Sequence, residues 1–350
     1  MQFGKKLELI KRNTEEVLTE QDLQDLLRKK AHPTSYVGVA VTGPIHMGYL
    51  IPFGKLLDFD KAGIKNTVLI ADVHGALDDL KSNWEELAEK SAYYKKCFEL
   101  AFPWKTKPKF VRGSSFQLNK GYIMDALKLS TLSTVKRTMR AASEVTRMKD
   151  PKVSELIYPI FQSLDEEYLK ADIQLGGTDQ RHILAYAREY LPKLGYKSRV
   201  EIMTPLVASL KGPGTKMSAS IPESNVKVYD SEETVKRKIN AAYCLAGDVS
   251  ENSILQLYQY VVFTFKERVT IERDKKYGGD VKFKDYKDLE KAYLAKQLNW
   301  KNQISTGYLP YNIKELFETA HRIEDINEQP FWLETQPIPG SDIDILKPHY

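Results

Sequence analysis

YVGVAVTGPIHMGYL, from Tyr36 to Leu50, is the stretch that decides the fold. Its first six residues form a short β-like run that Thr42-Gly43-Pro44 stops, and from His46 a helical pattern runs to Gly63. A strand that ends in a glycine turn and passes straight into a helix is the opening of a βαβ unit. Downstream, Thr67-Val-Leu-Ile-Ala-Asp72 is nearly all apolar, as strands buried on both faces are. Upstream, Leu7, Ile10, Val17, Leu18, Leu23, Leu26 and Leu27 keep an approximate helical period, which predicts one amphipathic helix from Lys5 to Lys29.

The alternation continues. Helix is predicted for Trp84 to Phe102, Tyr122 to Met148 and Arg181 to Leu191, and strand for Lys109 to Arg112, Ala171 to Leu175 and Val200 to Val207. Such a pattern predicts an α/β fold, a Rossmann-like, doubly wound, mostly parallel sheet. After Ser220 the chain becomes charged, mainly helical in pattern and nearly free of buried-strand runs. A boundary near Asp230 therefore divides a Rossmann-like domain, 1–230, with its N-terminal helix and inserted helices, from a smaller helical domain, 231–350. From Asn327 on, Pro330, Pro337, Pro339, Gly340 and Pro348 predict a loosely structured tail.

Composition excludes several classes. With 42% hydrophobic and 28% charged residues, and no run approaching the ~20 apolar residues of a membrane span, the chain reads as a soluble globular protein. The first residues mix acids and bases at helical spacing, unlike a secretory or transit peptide, and a cytosolic location is the expectation. Cys97 and Cys244 are the two cysteines; their separation, without partners at ligand spacing, predicts neither a disulfide framework nor a zinc site. A net charge of +5, from 52 basic and 47 acidic residues, permits a polyanionic partner without requiring one.

Polar residues placed just after the strands are the candidates for chemistry, since ligands of open α/β sheets bind at the carboxyl ends. His46 opens a helix, where N–H groups and an imidazole suit phosphate, while Gly43 and Gly48 let a planar ligand approach the backbone. By spacing alone His46 reads more readily as a helix cap or a satisfied surface residue than as a phosphate donor. Tyr158, Gln162 and Asp165 recur at i, i+4 and i+7 and share a helix face, with Pro159 predicted at the first helical position. Gly176-Gly-Thr-Asp-Gln180 reads as a strand-to-helix turn. Gly212-Pro-Gly-Thr-Lys-Met-Ser-Ala-Ser220 has the composition of a phosphate loop without the spacing of one.

Taken together, these motifs resemble a known family. His46-Met-Gly-Tyr and Lys216-Met-Ser-Ala-Ser220 are similar to the two signatures of class I aminoacyl-tRNA synthetases. Tyr36-Val-Gly-Val-Ala-Val-Thr-Gly43, Leu69-Ile-Ala-Asp-Val-His74, Tyr158-Pro-Ile-Phe-Gln-Ser-Leu-Asp-Glu-Glu-Tyr168 and Gly176-Gly-Thr-Asp-Gln-Arg181 resemble the tyrosyl-tRNA synthetases of eukaryotic and archaeal type. The likeness runs from Leu7 to about Glu290.

The resemblance implies an enzyme that joins L-tyrosine to ATP, releases pyrophosphate and passes the tyrosyl group to tRNA(Tyr), working as a homodimer with Mg²⁺ carried by ATP and no metal site of its own. By the same resemblance His46, Lys216, Ser218 and Ser220 serve catalysis. Gly43, Gly48 and Met217 join His46 and Lys216 in holding ATP, with Lys216 on a mobile loop. Tyr36 and Asp165 would take the substrate phenol, Tyr158, Gln162 and Gln180 its α-amino group, and Leu69, His74 and Gln117 would line the pocket. Tyr277 matches an aromatic that would stack on an anticodon base, while Trp300 stands in Gln297-Leu-Asn-Trp-Lys-Asn302, where the family's run is absent, and reads either as a replacement stacker or as a core tryptophan.

Two departures stand out. Tyr49 replaces the second histidine of one signature, and Ala219 the second lysine of the other. A tryptophanyl enzyme is the alternative within catalysis, and a silent tRNA-binding paralogue the alternative outside it. The intact set of Tyr36, His46, Asp165 and Lys216 argues against the second.

Overall fold

The structure, a computed structural model, describes residues 1–78, 82–102, 104–145, 150–218, 221–227, 230–271, 275–296, 298, 335–337 and 344–346. In chain order the elements are α1 (Phe3–Lys11), β1 (Glu16–Leu18), α2 (Glu20–Lys29), β2 (Thr34–Ala40), α3 (Leu50–Lys61), β3 (Lys65–Ala71), α4 (Asp72–Leu77), α5 (Leu87–Ala101) and β4 (Lys109–Arg112). There follow α6 (Lys120–Leu132), α7 (Val135–Ala142), α8 (Val153–Tyr168), β5 (Ile173–Gly177), α9 (Arg181–Tyr190), β6 (Val200–Thr204), β7 (Ala208–Ser209) and β8 (Gly212–Lys216). The rest are α10 (Glu232–Ala241), α11 (Ser253–Leu257), α12 (Phe263–Phe265), β9 (Val269–Ile271), β10 (Val281–Phe283), α13 (Tyr286–Leu294), β11 (Thr335–Pro337) and β12 (Asp344–Leu346).

Six strands form the main sheet in the order β1-β6-β5-β2-β3-β4, all parallel except β1, which runs antiparallel to β6. The chain winds outward from β2 through β3 to β4 in one direction, and from β5 to β6 in the other. That reversal puts the switch point between β2 and β5, where Tyr36 stands opposite Gln174. On one side α8 packs against α4, α6, α7 and α9, around a core that includes Tyr122, Leu129, Phe161, Leu164, Ile183 and Tyr186.

Contacts divide the backbone into two units. One comprises 1–42, 55–99 and 104–205, and the other 43–54, 100–103 and 206–350. In the second unit β7 and β8 pair antiparallel, as do β9 and β10.

Several local expectations are revised. The single helix from Lys5 to Lys29 is interrupted, because Asn13 takes a left-handed φ of 53° and Glu16–Leu18 extends to pair with Glu201–Met203. Thr19 then restarts the helix by accepting from Asp22 N at 3.2 Å. Pro159 lies inside α8, not at its start: the Glu155 carboxylate takes Lys152 N at 2.8 Å and starts the helix a turn and a half earlier. The run from Tyr122 is split into α6 and α7, with Thr134 capping the second. Beyond Ser231 the strands β9 and β10 join the helices, so that region is not purely helical. Gly212 has φ +120°, a value that Cβ-bearing residues avoid. It turns the chain into a paired strand, so Lys216 ends a β-strand and does not lie in a free loop.

Candidate functional site

In the first unit a polar cluster forms around α8. Asp165, 1% exposed, accepts through Oδ1 from Gln117 Nε2 at 2.8 Å and from the Tyr122 hydroxyl at 2.9 Å. Its Oδ2 has no hydrogen-bond partner and lies 3.7 Å from His74 Nε2, itself unpartnered. Burial pushes the carboxyl up to about 8, with Asp72 adding to the rise while Gln117 and Tyr122 oppose it. Burial also holds the His74 imidazole down to about 3, so the ring is neutral.

The tautomer follows from the donors. Gln117 Nε2 carries two protons, one directed at Asp165 and the other at His74 Nδ1, 3.4 Å away. With Nδ1 accepting, the ring proton sits on Nε2, beside the unpartnered Asp165 oxygen. Once Asp165 ionises, a buried donor and a buried acceptor stand side by side without partners, an arrangement that a ligand hydroxyl satisfies by accepting from one and donating to the other.

The other residues singled out in the sequence fall around this pair. Tyr36 is 1% exposed, donates to Gln162 O at 3.2 Å and packs in one apolar cluster with Leu69. Tyr158 packs edge-on against His74, ring centroids 4.6 Å apart. Gln162 Nε2 donates to Gln180 Oε1 at 3.1 Å, both residues being half-buried. All eight residues expected to contact an amino-acid substrate therefore belong to the first unit.

The residues expected to face phosphate belong to the second. His46 caps a short helical turn, Met47–Tyr49, and its Nδ1 accepts from Gly48 N at 3.1 Å. A Cβ on Gly48 would come within 2.8 Å of the ring, so glycine is required for this close approach. Capping and function do not compete here, since Nδ1 serves the helix and leaves the Nε2 proton to be donated. Burial, then the charges of Lys227 and Lys216, press the imidazole down to about 4. His46 is consequently a neutral donor at physiological pH.

Lys216 is exposed at the end of β8. Met217 is buried and its N–H donates to Val207 O at 3.0 Å. Ser218 is held through its backbone: its N–H donates to Ser224 Oγ at 3.2 Å and its carbonyl accepts from Asn225 Nδ2 at 2.5 Å. Gly43 is buried. Ser220, Ala219, Trp300 and the Tyr277 side chain lie outside the described residues.

Some groups escaped the sequence reading. Tyr122 donates to Asp165 from outside the recognised motifs, and Asp72, inside one of them, carried no assigned role although its charge acts on Asp165. Ser114 binds both Asp72 oxygens, through its N–H at 2.8 Å and its hydroxyl at 2.6 Å. Gln174, Glu166 and Glu201 are buried beside Tyr36, with Gln174 Oε1 and both oxygens of each glutamate unpartnered. Their signal was available, since a polar residue inside an apolar strand run, as in Ile173-Gln-Leu or Val200-Glu-Ile, has to be explained. Lys227 had no comparable signal.

Comparison with known proteins places the chain. The family model for tRNA synthetases class I (W and Y) matches residues 28–306. A tyrosine–tRNA ligase of Methanosarcina barkeri is 43% identical over 295 residues, covering 84% of this chain and 92% of that protein. The cytoplasmic tyrosine–tRNA ligase of Danio rerio is 39% identical over 300 residues, which are 84% of this chain and 56% of the fish protein. Among solved structures, the tyrosyl-tRNA synthetase of Archaeoglobus fulgidus complexed with L-tyrosine superposes with a TM-score of 0.87 at 39% identity, covering 92% of this chain and 99% of that one. A tryptophanyl-tRNA synthetase from Giardia lamblia shares the fold, with a TM-score of 0.67 at 18% identity. The chain belongs to the class I tRNA synthetases of the W and Y group and, within it, to the tyrosyl-tRNA synthetases of archaeal and eukaryotic type.

Proposed function

We propose that the chain activates L-tyrosine with ATP and transfers the tyrosyl group to tRNA(Tyr). The observation that carries the choice of amino acid is the unpartnered pair of Asp165 Oδ2 and His74 Nε2, 3.7 Å apart and buried. A phenol satisfies both. Phenylalanine would leave them unpaired; tyrosine-specific enzymes of this same family set the scale of that penalty, a discrimination of ~10⁵, which is their value and not one obtained from this structure. Tyr36 supports the same hydroxyl, and the Gln162–Gln180 pair offers amide oxygens to an ammonium.

In the first step a carboxylate oxygen of tyrosine attacks the α-phosphorus of ATP. A P–O bond forms, the bond to the β-phosphate bridge breaks, and pyrophosphate leaves with the electron pair. His46 donates its Nε2 proton as a hydrogen bond, and Lys216 offsets charge on the departing phosphates. In the second step a ribose hydroxyl of the tRNA attacks the activated carbonyl and AMP leaves.

Mg²⁺ would arrive on the phosphate oxygens of ATP. Mg²⁺ takes oxygen ligands, which the imidazole and ammonium groups at the phosphate end do not supply, and among the described residues no group of three or more His, Cys, Asp or Glu side chains could hold a metal ion. No described helix is long and apolar enough to cross a membrane, and the proposed location is the cytosol.

For the second half of the chain the proposed role is anticodon recognition by 231–350, with Tyr277 and Trp300 as stacking residues. A homodimer is proposed through α6, where Met124 (46% exposed) and Leu127 (57%) present an apolar surface next to exposed Leu118 and Val135. Tyrosine-dependent ATP–pyrophosphate exchange tests the central reading. Exchange with tyrosine and not with tryptophan supports it, and exchange with tryptophan alone refutes it.

A further inference from the structure

His46 enters the phosphate end as a neutral group, so the positive charge that the protein itself brings to the departing pyrophosphate comes from lysine. Lys216 is one source, exposed at the end of its strand. A second lies close by. Residues 46 and 227 form an isolated antiparallel bridge, secured next to it by Met47 N donating to Val226 O at 2.9 Å. Residues directly opposite in such a bridge project to the same side, with Cβ atoms about 4.5–5.5 Å apart. Lys227 is only 5% exposed.

We propose that Lys227 is a second phosphate-directed cation of the ATP site, acting on the same phosphate groups as His46 and Lys216. This assignment rests on the proposed placing of ATP phosphates at His46.

Three observations converge on it. The position is built: Ser224 and Asn225, 1% and 0% exposed, tie Ser218 and Ile221 to the segment that leads into Lys227. Its backbone is also held from the other side, since Asp230 Oδ2 accepts Lys227 N at 2.8 Å and Lys238 Nζ at 2.7 Å. Lys227 also acts on the His46 imidazole ahead of Lys216 as a source of positive charge. A buried cation beside a neutral donor is an efficient arrangement for phosphoryl chemistry, because low local polarizability strengthens its field and no reorganisation is needed when charge moves to the leaving group. It also offers an answer to Ala219, which leaves the second signature one lysine short.

The test compares Lys227→Met, Lys227→Arg and His46→Ala in ATP–pyrophosphate exchange, with tyrosine affinity and thermal melting measured on each. The expected result is that K227M lowers kcat/KM for ATP ~10- to 100-fold, the range for a lost charged hydrogen bond. Tyrosine affinity should stay within twofold, and K227R should recover most of the loss. If K227M exchanges normally while H46A does not, Lys227 has no such role and the ATP site stands. If neither variant alters exchange, the placing of ATP at His46 fails as well. Equal loss in K227M and K227R, or loss accompanied by weaker tyrosine binding and a lower melting temperature, would make Lys227 structural and overturn the proposal.

Discussion

Asp165 shows how one residue takes its meaning from its neighbours. Three buried side chains, Gln117, Tyr122 and His74, surround its carboxyl, and burial holds it protonated to about pH 8. A phenol donating to Oδ2 favours the ionised form, so tyrosine binding at pH 7 is expected to release a proton. Calorimetry in buffers of different ionisation enthalpy should detect it, and Asp165→Asn should lose both the proton release and most of the affinity; proton release that persists in the variant would reassign it. Glu201 makes the opposite kind of prediction. Burial raises it to about 8, and raises Glu166 too, with the charge of Glu201 adding to that rise. The unfolded chain therefore gives up its proton first, and stability falls as pH rises from about 4.5 to about 8. Glu201→Gln keeps the shape and removes the charge. Its melting temperature should exceed the parent's by at least ~2 °C at pH 8.5, and the gap should close near pH 4.5; a uniform shift would mean that the carboxyl charge is not the cause.

At the scale of the element, the segment from β8 to Asp230 is the informative one. Ser218 and Ile221 carbonyls both accept from Asn225 Nδ2, at 2.5 and 3.0 Å, and Asn225 is fully buried. Such a residue anchors the polypeptide that follows Lys216. Asn225→Ala removes two hydrogen bonds at once, at a net cost of about 0.5–1.5 kcal/mol each, because both carbonyls keep the Ser224 hydroxyl as a donor. We expect adenylate formation to slow ~10-fold or more with tyrosine affinity unchanged, since the substrate side chains all belong to the other unit. Burst kinetics would read this, and a defect confined to tyrosine binding would contradict it. α8 makes the complementary point: Pro159 removes one backbone donor from its interior, yet the helix persists because its surroundings bury it, with Tyr158, Phe161 and Leu164 all in the core.

For the whole molecule, the exposed apolar surface of α6 is the feature that a monomer leaves unexplained. Met124→Glu with Leu127→Glu places two charges there without touching the core, since both side chains are about half exposed. The double variant is expected to sediment as a monomer where the parent is a dimer. A parent that is itself monomeric, or a variant that stays dimeric, would remove α6 from the interface.

The α/β class and the mostly parallel sheet were legible in the sequence, because apolar strand runs and glycine turns are local signals, whereas the residues grouped with Asp165 were named only through the resemblance of their motifs to a family. The break between α1 and α2 was not, since Glu16–Leu18 is extended only by pairing with residues 201–203. Gln174, Glu166 and Glu201 could be seen as polar residues in apolar surroundings, but not as one cluster. What the sequence by itself determined is the chemistry available: an imidazole at a helix start, a lysine after a glycine turn, a carboxylate on the same helix face as a phenol. Only the tertiary structure decided which nitrogen of His46 and of His74 carries its proton, which oxygen of Asp165 is left for a ligand, and that Lys227 stands opposite His46. Those outcomes depend on hydrogen bonds and charges between residues far apart in the chain, and burial, which sets their strength, exists only once the chain has folded.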